Sequence, residues 1–222
     1  MKHKQFFKSI SLFLIASTVF LLTGCDGDGA PSTTTSGDTG LYPFKSAVVQ
    51  YKVTGSSEGN QTLYIKNGMT ATEKHTQTET AGYTQYENTF TVNTGDFIYE
   101  IDLDNSKGVK TKNELNETIK TLTPEQKIDL GKKLAAGLSA DSQGSADEIL
   151  TSLGTETIAG QKCEKYNPLG LGTVCIWNNI PLKTQISIAD IDLIIEATSV
   201  NEGASVSDSK FMVPKGVEVT EI

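Results

Sequence analysis

Apolar and polar residues alternate with a period of two through the first half of the chain beyond residue 41. In the stretch 47–53, Ala47, Val49, Tyr51 and Val53 share one face, while Gln50 and Lys52 share the other. This is the pattern of a half-buried strand. It recurs and predicts further strands at residues 60–66, 69–79, 83–92 and 97–103. Successive hairpins of this kind indicate an antiparallel meander with one wet face and one apolar face.

The period changes to that of a helix in the middle of the chain. Thr123-Pro124-Glu125-Gln126 combines an N-cap, a proline at the first helical position and a capping-box glutamine, so a helix is predicted to begin there. Ser145-Ala146-Asp147-Glu148 is a second capping box, and Gly154 is predicted to end that shorter helix. Both helices are amphipathic, and packing against a sheet is favoured over membrane insertion because their polar faces have few lysines.

Strand patterns return after residue 154. They cover residues 156–166, 172–177, 183–188, 192–199, 210–213 and 217–222. The order of many strands, two helices and many strands predicts an α+β fold that is mainly antiparallel β. We expect a strongly curved sheet with the two inserted helices packed on its concave face.

The N-terminus has the three-part pattern of a secretory signal peptide. Lysines precede an apolar run at 10–22, which is short for a membrane-spanning helix, and the run ends in Leu22-Thr23-Gly24-Cys25. This ending resembles the lipobox of bacterial lipoproteins, and the resemblance implies cleavage after residue 24 and a lipid on Cys25. An ordinary signal peptide or an uncleaved anchor is the alternative. In enterobacterial lipoproteins an aspartate directly after the lipidated cysteine is a signal for retention in the inner membrane. Asp26 occupies that position here and favours the inner membrane.

Three segments follow from this interpretation. Residues 1–24 are the predicted signal peptide, and residues 25–40 are a lipidated cysteine and a Gly-, Ser- and Thr-rich linker with a reach of about 20 Å. Residues 41–222 have the length of a single domain. We expect a monomer in the bacterial cell envelope, held to a membrane by its lipid and facing the periplasm.

Composition excludes several classes of function. The chain has no arginine, and the mature part keeps 16 lysines against 27 acidic residues, a net charge of −11. Such a surface argues against binding nucleic acid. His75 is the one histidine after residue 24, so a metal site with several histidines is impossible, and its polar, Thr-rich surroundings indicate a solvated strand. We find no paired catalytic carboxylates or phosphate loop, and therefore expect no enzyme activity and no cofactor.

The remaining cysteines, Cys163 and Cys175, form a pair in an oxidising compartment. They lie on successive predicted strands joined by a turn-rich segment, so a disulfide across this hairpin is favoured. Two free buried thiols are the alternative.

Short motifs in the second half resemble proteins with the fold of the lipoprotein carriers LolA and LolB. They are the glycine-spaced stretch 154–166, Ile180-Pro181-Leu182-Lys183, and Phe211-Met212-Val213-Pro214-Lys215-Gly216. The resemblance implies an incomplete barrel that is closed by helices around an apolar cavity for acyl chains. LolA uses an arginine in lipoprotein release, and this chain has none. The chain therefore resembles an anchored relative more than a soluble carrier.

These observations lead to a lipid-binding hypothesis. The protein would bind or transfer a lipid or acylated ligand, such as an acyl chain or a lipoprotein, in an apolar cavity. The residues expected to line this cavity are Val49, Tyr51, Val53, Leu63, Ile65, Phe97, Tyr99 and Ile101, with Ile128, Leu134 and Leu138 as a lid. The alternative is a non-catalytic structural or protein-interaction module of the envelope whose interior is fully packed.

Overall fold

A computed structural model describes residues 40–80, 82–170, 172–188 and 191–222, which form one curved, open, twelve-stranded sheet and three helices. The predicted signal peptide, Cys25, Asp26 and the linker up to residue 39 lie outside the described residues. None of the helices in the described part has the length and apolar character needed to cross a membrane.

The first six strands form the predicted meander and one strand more. Their bounds are β1 Ser46–Gly55, β2 Glu58–Lys66, β3 Met69–Thr80, β4 Tyr83–Asn93, β5 Phe97–Asp102 and β6 Lys107–Lys112. Sequence reasoning missed β6, because Lys107–Lys112 has little apolar alternation of its own and is held by pairing with β5.

The second half adds five antiparallel strands and one parallel edge strand. They are β7 Ser152–Ile158, β8 Gln161–Tyr166, β9 Gly172–Trp177, β10 Ile180–Ile188, β11 Ile191–Glu202 and β12 Glu218–Glu221. The order across the sheet is β12-β6-β5-β4-β3-β2-β1-β11-β10-β9-β8-β7, so the two meanders join where β1 pairs with β11. This confirms the predicted α+β, mainly antiparallel fold class.

Two strand predictions were wrong in detail. The stretch 156–166 is two strands, because a turn at Ala159-Gly160 has positive φ at both residues and reverses the chain. Residues 210–213 do not form the predicted strand: a 3₁₀ turn, Asp208–Phe211, overlaps them, and its Phe211 is buried against the sheet. Local alternation is therefore weaker evidence than the hydrogen bonds that a neighbouring strand supplies.

The helices are α1 Glu114–Thr121, α2 Pro124–Ala135 and α3 Ala146–Ile149. At α2 the predicted capping box is present: Thr123 N donates to Gln126 Oε1 at 2.9 Å, and Gln126 N donates to Thr123 Oγ1 at 3.3 Å. Sequence reasoning missed α1. It also made α3 too long, since Gly154 lies within β7 and does not end the helix.

The two faces of the sheet carry separate cores. The helix face, which we define by Ala47, Val49, Leu63 and Ile65, packs against Ile119 of α1 and Leu130 of α2. The outer face carries Ala71, Phe90, Val92 and Ile101, which pack against Val206 and Phe211 of the C-terminal segment 203–217. The sheet is therefore buried on both sides over much of its area.

Candidate functional site

The chain's own N-terminal segment covers the helix face. Leu41, Tyr42 and Phe44, which precede β1, are 2%, 3% and 7% exposed. Tyr42 stacks on Phe44 at 5.9 Å between ring centroids, and Phe44 stacks on Trp177 of β9 at 5.6 Å. Burial raises the pKa of the Tyr42 phenol. Sequence reasoning placed these residues at a domain edge, but they complete the core.

The predicted cavity residues of β1 and β2 are buried, and all of them except Val53 lie together in this core. Val49, Leu63 and Ile65 are 0% exposed, Val53 is 1% exposed and Tyr51 is 2% exposed. A side chain with no accessible surface adjoins no space that holds even a water molecule. At these positions the interior is therefore a packed core.

The predicted cavity residues of β5 lie on the other face. Tyr99 pairs with Val92, which pairs with Ala71, which pairs with Tyr64. Residues directly opposite one another share a face, so Tyr99 is on the outer face.

Phe97 and Ile101, two residues away from Tyr99 on either side, share that face. Ile101 packs with Phe211, and Lys110 Nζ lies 3.7 Å from the ring centroid of Phe97. The expectation that Phe97, Tyr99 and Ile101 face the helices was wrong, because alternation alone does not say which phase faces which side.

The three predicted lid residues also separate. Ile128 is 61% exposed, so its prediction as an inward-facing residue was wrong. Leu134 packs against the helix-face core, and Leu138 packs against a smaller cluster around Ala135 and Tyr166. The residue of α2 that is buried on the helix face is Leu130, 7% exposed. The buried side of α2 is thus rotated from the predicted one.

A groove with an apolar floor lies between α1, α2 and the loop that follows α2. Its volume is about 530 Å³. The residues that line it are Leu115, Thr118, Leu122, Glu125, Gln126, Asp129, Leu130, Lys133, Ala140 and Ser145. Of these, Leu115, Leu122, Leu130 and Ala140 belong to the helix-face core, so the apolar floor of the groove is continuous with the interior of the protein.

Side-chain amides fix α1 at one wall of this groove. Asn113, at the N-cap of α1, is 4% exposed, and its Nδ2 donates to Gly95 O at 2.8 Å in the turn between β4 and β5. Asn116 Nδ2 donates to Asp96 Oδ1 in the same turn at 3.0 Å. The signal that could have revealed α1 is Asn113 followed by acidic residues in the first turn, Glu114 and Glu117.

Two lysines of α2, at the other wall, link the helix to the segment that follows it. Lys133, which is 7% exposed, lies 3.0 Å from Asp129 Oδ2, and its Nζ donates to Ser142 O at 3.4 Å. On the preceding residue, Lys132 Nζ lies 2.6 Å from Asp147 Oδ1 of α3. Burial lowers the pKa of Lys132, but the hydrogen bonds and charge interactions with Asp147 and Tyr166 together outweigh burial, so the pKa is raised overall. Because Lys133 is paired, the groove floor holds no isolated charge.

The predicted disulfide is confirmed. Cys163 of β8 and Cys175 of β9 are bonded, with a Cα–Cα distance of 5.4 Å, and each is 1% exposed. Both belong to the helix-face core. The bond therefore supports the strands beneath the helices.

Metal chemistry finds no support in the described part of the chain. No group of three or more His, Cys, Asp or Glu side chains there could hold a metal ion. His75 is exposed on β3, where its Nδ1 lies 2.9 Å from Asn88 Oδ1.

Comparison with known proteins finds similarity in fold only. No protein-family model matches the chain, and no curated protein matches its sequence. An uncharacterized conserved protein from Thermus thermophilus is 11% identical, with a TM-score of 0.49 over 80% of this chain and 91% of that one. LprF from Mycobacterium bovis is 16% identical, with a TM-score of 0.34 over 80% and 91%.

The structure of the Pseudomonas aeruginosa MucA/MucB complex also matches. There the identity is 11%, the TM-score is 0.36, and the match covers 80% of this chain and 58% of that one. All of these TM-scores are below 0.5, so none of the matches carries an argument about what this chain binds.

Proposed function

We propose that this protein is a lipid-anchored, non-catalytic envelope lipoprotein that binds an acyl chain or an acylated ligand in the groove between α1 and α2. The observation that carries the proposal is the apolar floor of that groove. Leu115 lies in α1, Leu122 in the link between α1 and α2, and Leu130 in α2. All three belong to the helix-face core. A ligand that lies on them is in contact with the protein interior.

The size and chemistry of the groove suit an acyl chain. Its volume of about 530 Å³ lies within the range of about 300–1,000 Å³ typical of small-ligand sites. Each methylene removed from water contributes about 0.8 kcal/mol, so a fatty chain is held without a charged anchor in the floor. The rim carries the exposed side chains of Glu125 and Gln126, which leaves a polar headgroup at the solvent side.

The position of the N-terminal segment is compatible with this proposal. Leu41 O accepts a hydrogen bond of 2.6 Å from Asn179 Nδ2, and Asn179 packs against Gly131 of α2. A linker that begins on Cys25 would therefore reach the domain next to α2. A lipid on Cys25, with a linker reach of about 20 Å, would keep the side of the domain that carries α2 near the membrane.

The test uses residues 41–222 expressed alone. Solvent extraction of the purified protein followed by mass spectrometry is expected to identify bound lipid, and a fluorescent fatty acid is expected to bind saturably. The discriminating variant is Thr118→Trp, which places a large ring in the groove from an exposed position of α1. Displacing two methylenes removes about 1.6 kcal/mol, so affinity should fall about tenfold or more.

The matched control is Thr121→Trp, the same change on the same helix at an exposed position that does not line the groove. It should bind the fatty acid as the unaltered protein does. Equal loss in both variants would contradict the groove as the site.

The second candidate is a structural or protein-interaction module with a packed interior. The observation that favours it is the complete burial of Val49, Leu63 and Ile65. Absence of co-purifying lipid together with absence of saturable fatty-acid binding would support this candidate and contradict the first.

A further inference from the structure

The outer face of the sheet is divided into a covered half and an open half. The C-terminal segment covers the half around Ala71 and Val92. Two lysines hold it there: Lys66 Nζ lies 2.5 Å from Asp208 Oδ1, and Lys210 Nζ lies 2.9 Å from Glu73 Oε1. Towards the turn between β1 and β2, the same face is exposed.

Two rows of polar side chains cross this open half. In the first row Lys52, Asn60, His75 and Asn88 lie directly opposite one another on β1, β2, β3 and β4. In the second row, two residues further towards the turn on β2 and β3, Glu58 lies opposite Gln77 and Gln77 lies opposite Tyr86. Neighbouring strands are about 4.8 Å apart, so the rows form a regular ladder of hydrogen-bonding groups.

A groove of about 450 Å³ runs over both rows and is lined by all seven of these residues. Its titratable side chains besides His75 and Tyr86 are one lysine, Lys52, and one glutamate, Glu58, so with neutral histidine the lining has no net charge. The three side-chain amides, Asn60, Gln77 and Asn88, and the imidazole offer donors and acceptors together. An uncharged lining of this kind suits a ligand that is itself neutral and rich in groups that both donate and accept.

A chain of hydrogen bonds orients the first row. Asp104 Oδ1 can only accept when ionised, so the Asn88 atom 2.7 Å from it is the amide nitrogen. Asn88 Oδ1 then faces His75 Nδ1 at 2.9 Å and accepts a hydrogen bond from the Nδ1–H group. In neutral His75 this leaves Nε2 as an acceptor. The imidazole is thus preset for a ligand hydroxyl.

An aromatic ring borders the ladder. Tyr86 is 64% exposed and lines the groove. Tyrosine combines a flat apolar face with a polar hydroxyl, which is the surface that the C–H face of a sugar ring contacts. A carbohydrate therefore complements this groove: its C–H face contacts the aromatic ring, and its hydroxyls bond the amide and imidazole groups.

We propose that the groove over Lys52, Asn60, His75, Gln77 and Tyr86 binds a glycan chain. The sugar rings lie along the two polar rows, with one ring against Tyr86 and hydroxyls bonded to Asn60, Gln77 and His75 Nε2. This site lies on the opposite face of the sheet from the groove between α1 and α2, so it is independent of acyl-chain binding.

The test uses the full chain, extracted from membranes with a detergent that has no sugar headgroup. Hexamers of N-acetylglucosamine and of glucose are titrated by calorimetry. Saturable binding of at least one hexamer is expected, with affinity lowered about tenfold by Tyr86→Ala and by Asn60→Ala. Both side chains are exposed, so these substitutions leave the cores intact.

The matched control is Tyr83→Ala. Tyr83 is 80% exposed on the same strand but does not line the groove, because it is three positions from Tyr86 and alternation puts it on the other face. The affinity of the Tyr83→Ala protein for the bound hexamer should stay within about twofold of that of the unaltered protein. Binding of neither hexamer, or equal affinity in the Tyr86→Ala and Tyr83→Ala proteins, would overturn the proposal.

Discussion

The contact between Gly131 of α2 and Asn179, in the turn between β9 and β10, makes a specific prediction about stability. A Cβ atom on residue 131 would lie 2.3 Å from Asn179 Nδ2 and 2.6 Å from its Cγ. Asn179 is 8% exposed, and Nδ2 donates to Leu41 O at 2.6 Å. Gly131→Ala must therefore displace the side chain that ties the N-terminal segment to the helix face.

The size of the effect follows from three contributions. Overpacking costs roughly 1–3 kcal/mol, and leaving the Leu41 carbonyl without its buried donor costs about 1–3 kcal/mol. Alanine in a helix interior is favoured over glycine by about 1 kcal/mol. The net expectation is a loss of about 3 kcal/mol in the free energy of unfolding, in spite of the gain in helix propensity.

In an Asn179→Gly background, the effect of Gly131→Ala on stability is expected to have the opposite sign. Asn179 has φ +64°, a conformation that glycine adopts without strain, so Asn179→Gly is compatible with the turn. With the Asn179 side chain removed, Gly131→Ala should stabilise the protein by up to about 1 kcal/mol.

Urea unfolding of the four proteins in this double-mutant cycle measures the coupling. Equal losses from Gly131→Ala in both backgrounds, or no loss in the unaltered background, would refute the reasoning.

Three further predictions concern other parts of the chain. Cys25→Ala should release the protein from membranes in soluble form and abolish labelling by a clickable fatty acid; retained label would contradict the anchor. Replacing Cys163 and Cys175 by alanine should lower the free energy of unfolding by about 3 kcal/mol in urea, from loop-closure entropy over their sequence separation of 12. Two alkylatable thiols in the unreduced protein would contradict the bond. Hydrogen bonds from Asn105 lower the pKa of Asp102, so this turn's stability is complete above the unfolded-state pKa of about 3.9 and falls as the pH drops through the lower folded-state pKa. Amide exchange in the turn should show this acid sensitivity, and Asp102→Asn should remove it.

Strand positions followed from alternation, but the face that each strand presents did not. Val49 and Tyr99 both lie in well-alternating strands, yet they belong to different cores. The assignment depends on how β4 pairs with β5 and on the C-terminal segment that covers the outer face. These are long-range contacts that no local pattern reports.

The helical part shows the same limit. The capping box at Thr123 correctly located α2, because its hydrogen bonds are local. The buried side of α2 was not predicted, since Ile128 is exposed and Leu130 is buried. The buried side of α2 includes Gly131, which closely approaches Asn179, a residue distant in the sequence.

The groove itself was beyond sequence reasoning. Its walls come from α1, which has few apolar residues, and from α2, and α1 is held in place by Asn113 and Asn116, which bind the turn between β4 and β5. The segment Leu41–Phe44 packs in the helix-face core, where the sequence analysis expected a ligand cavity.

The measurement that tests acyl-chain binding most directly is photo-crosslinking with a diazirine fatty acid, followed by cleavage after lysine and peptide mapping. The account predicts label on peptides 113–120 and 121–127, which carry Leu115 and Leu122 of the groove floor, and loss of that label with excess unlabelled fatty acid. Label that is absent, that resists competition, or that falls on peptide 75–107 of β3 to β6 would contradict it.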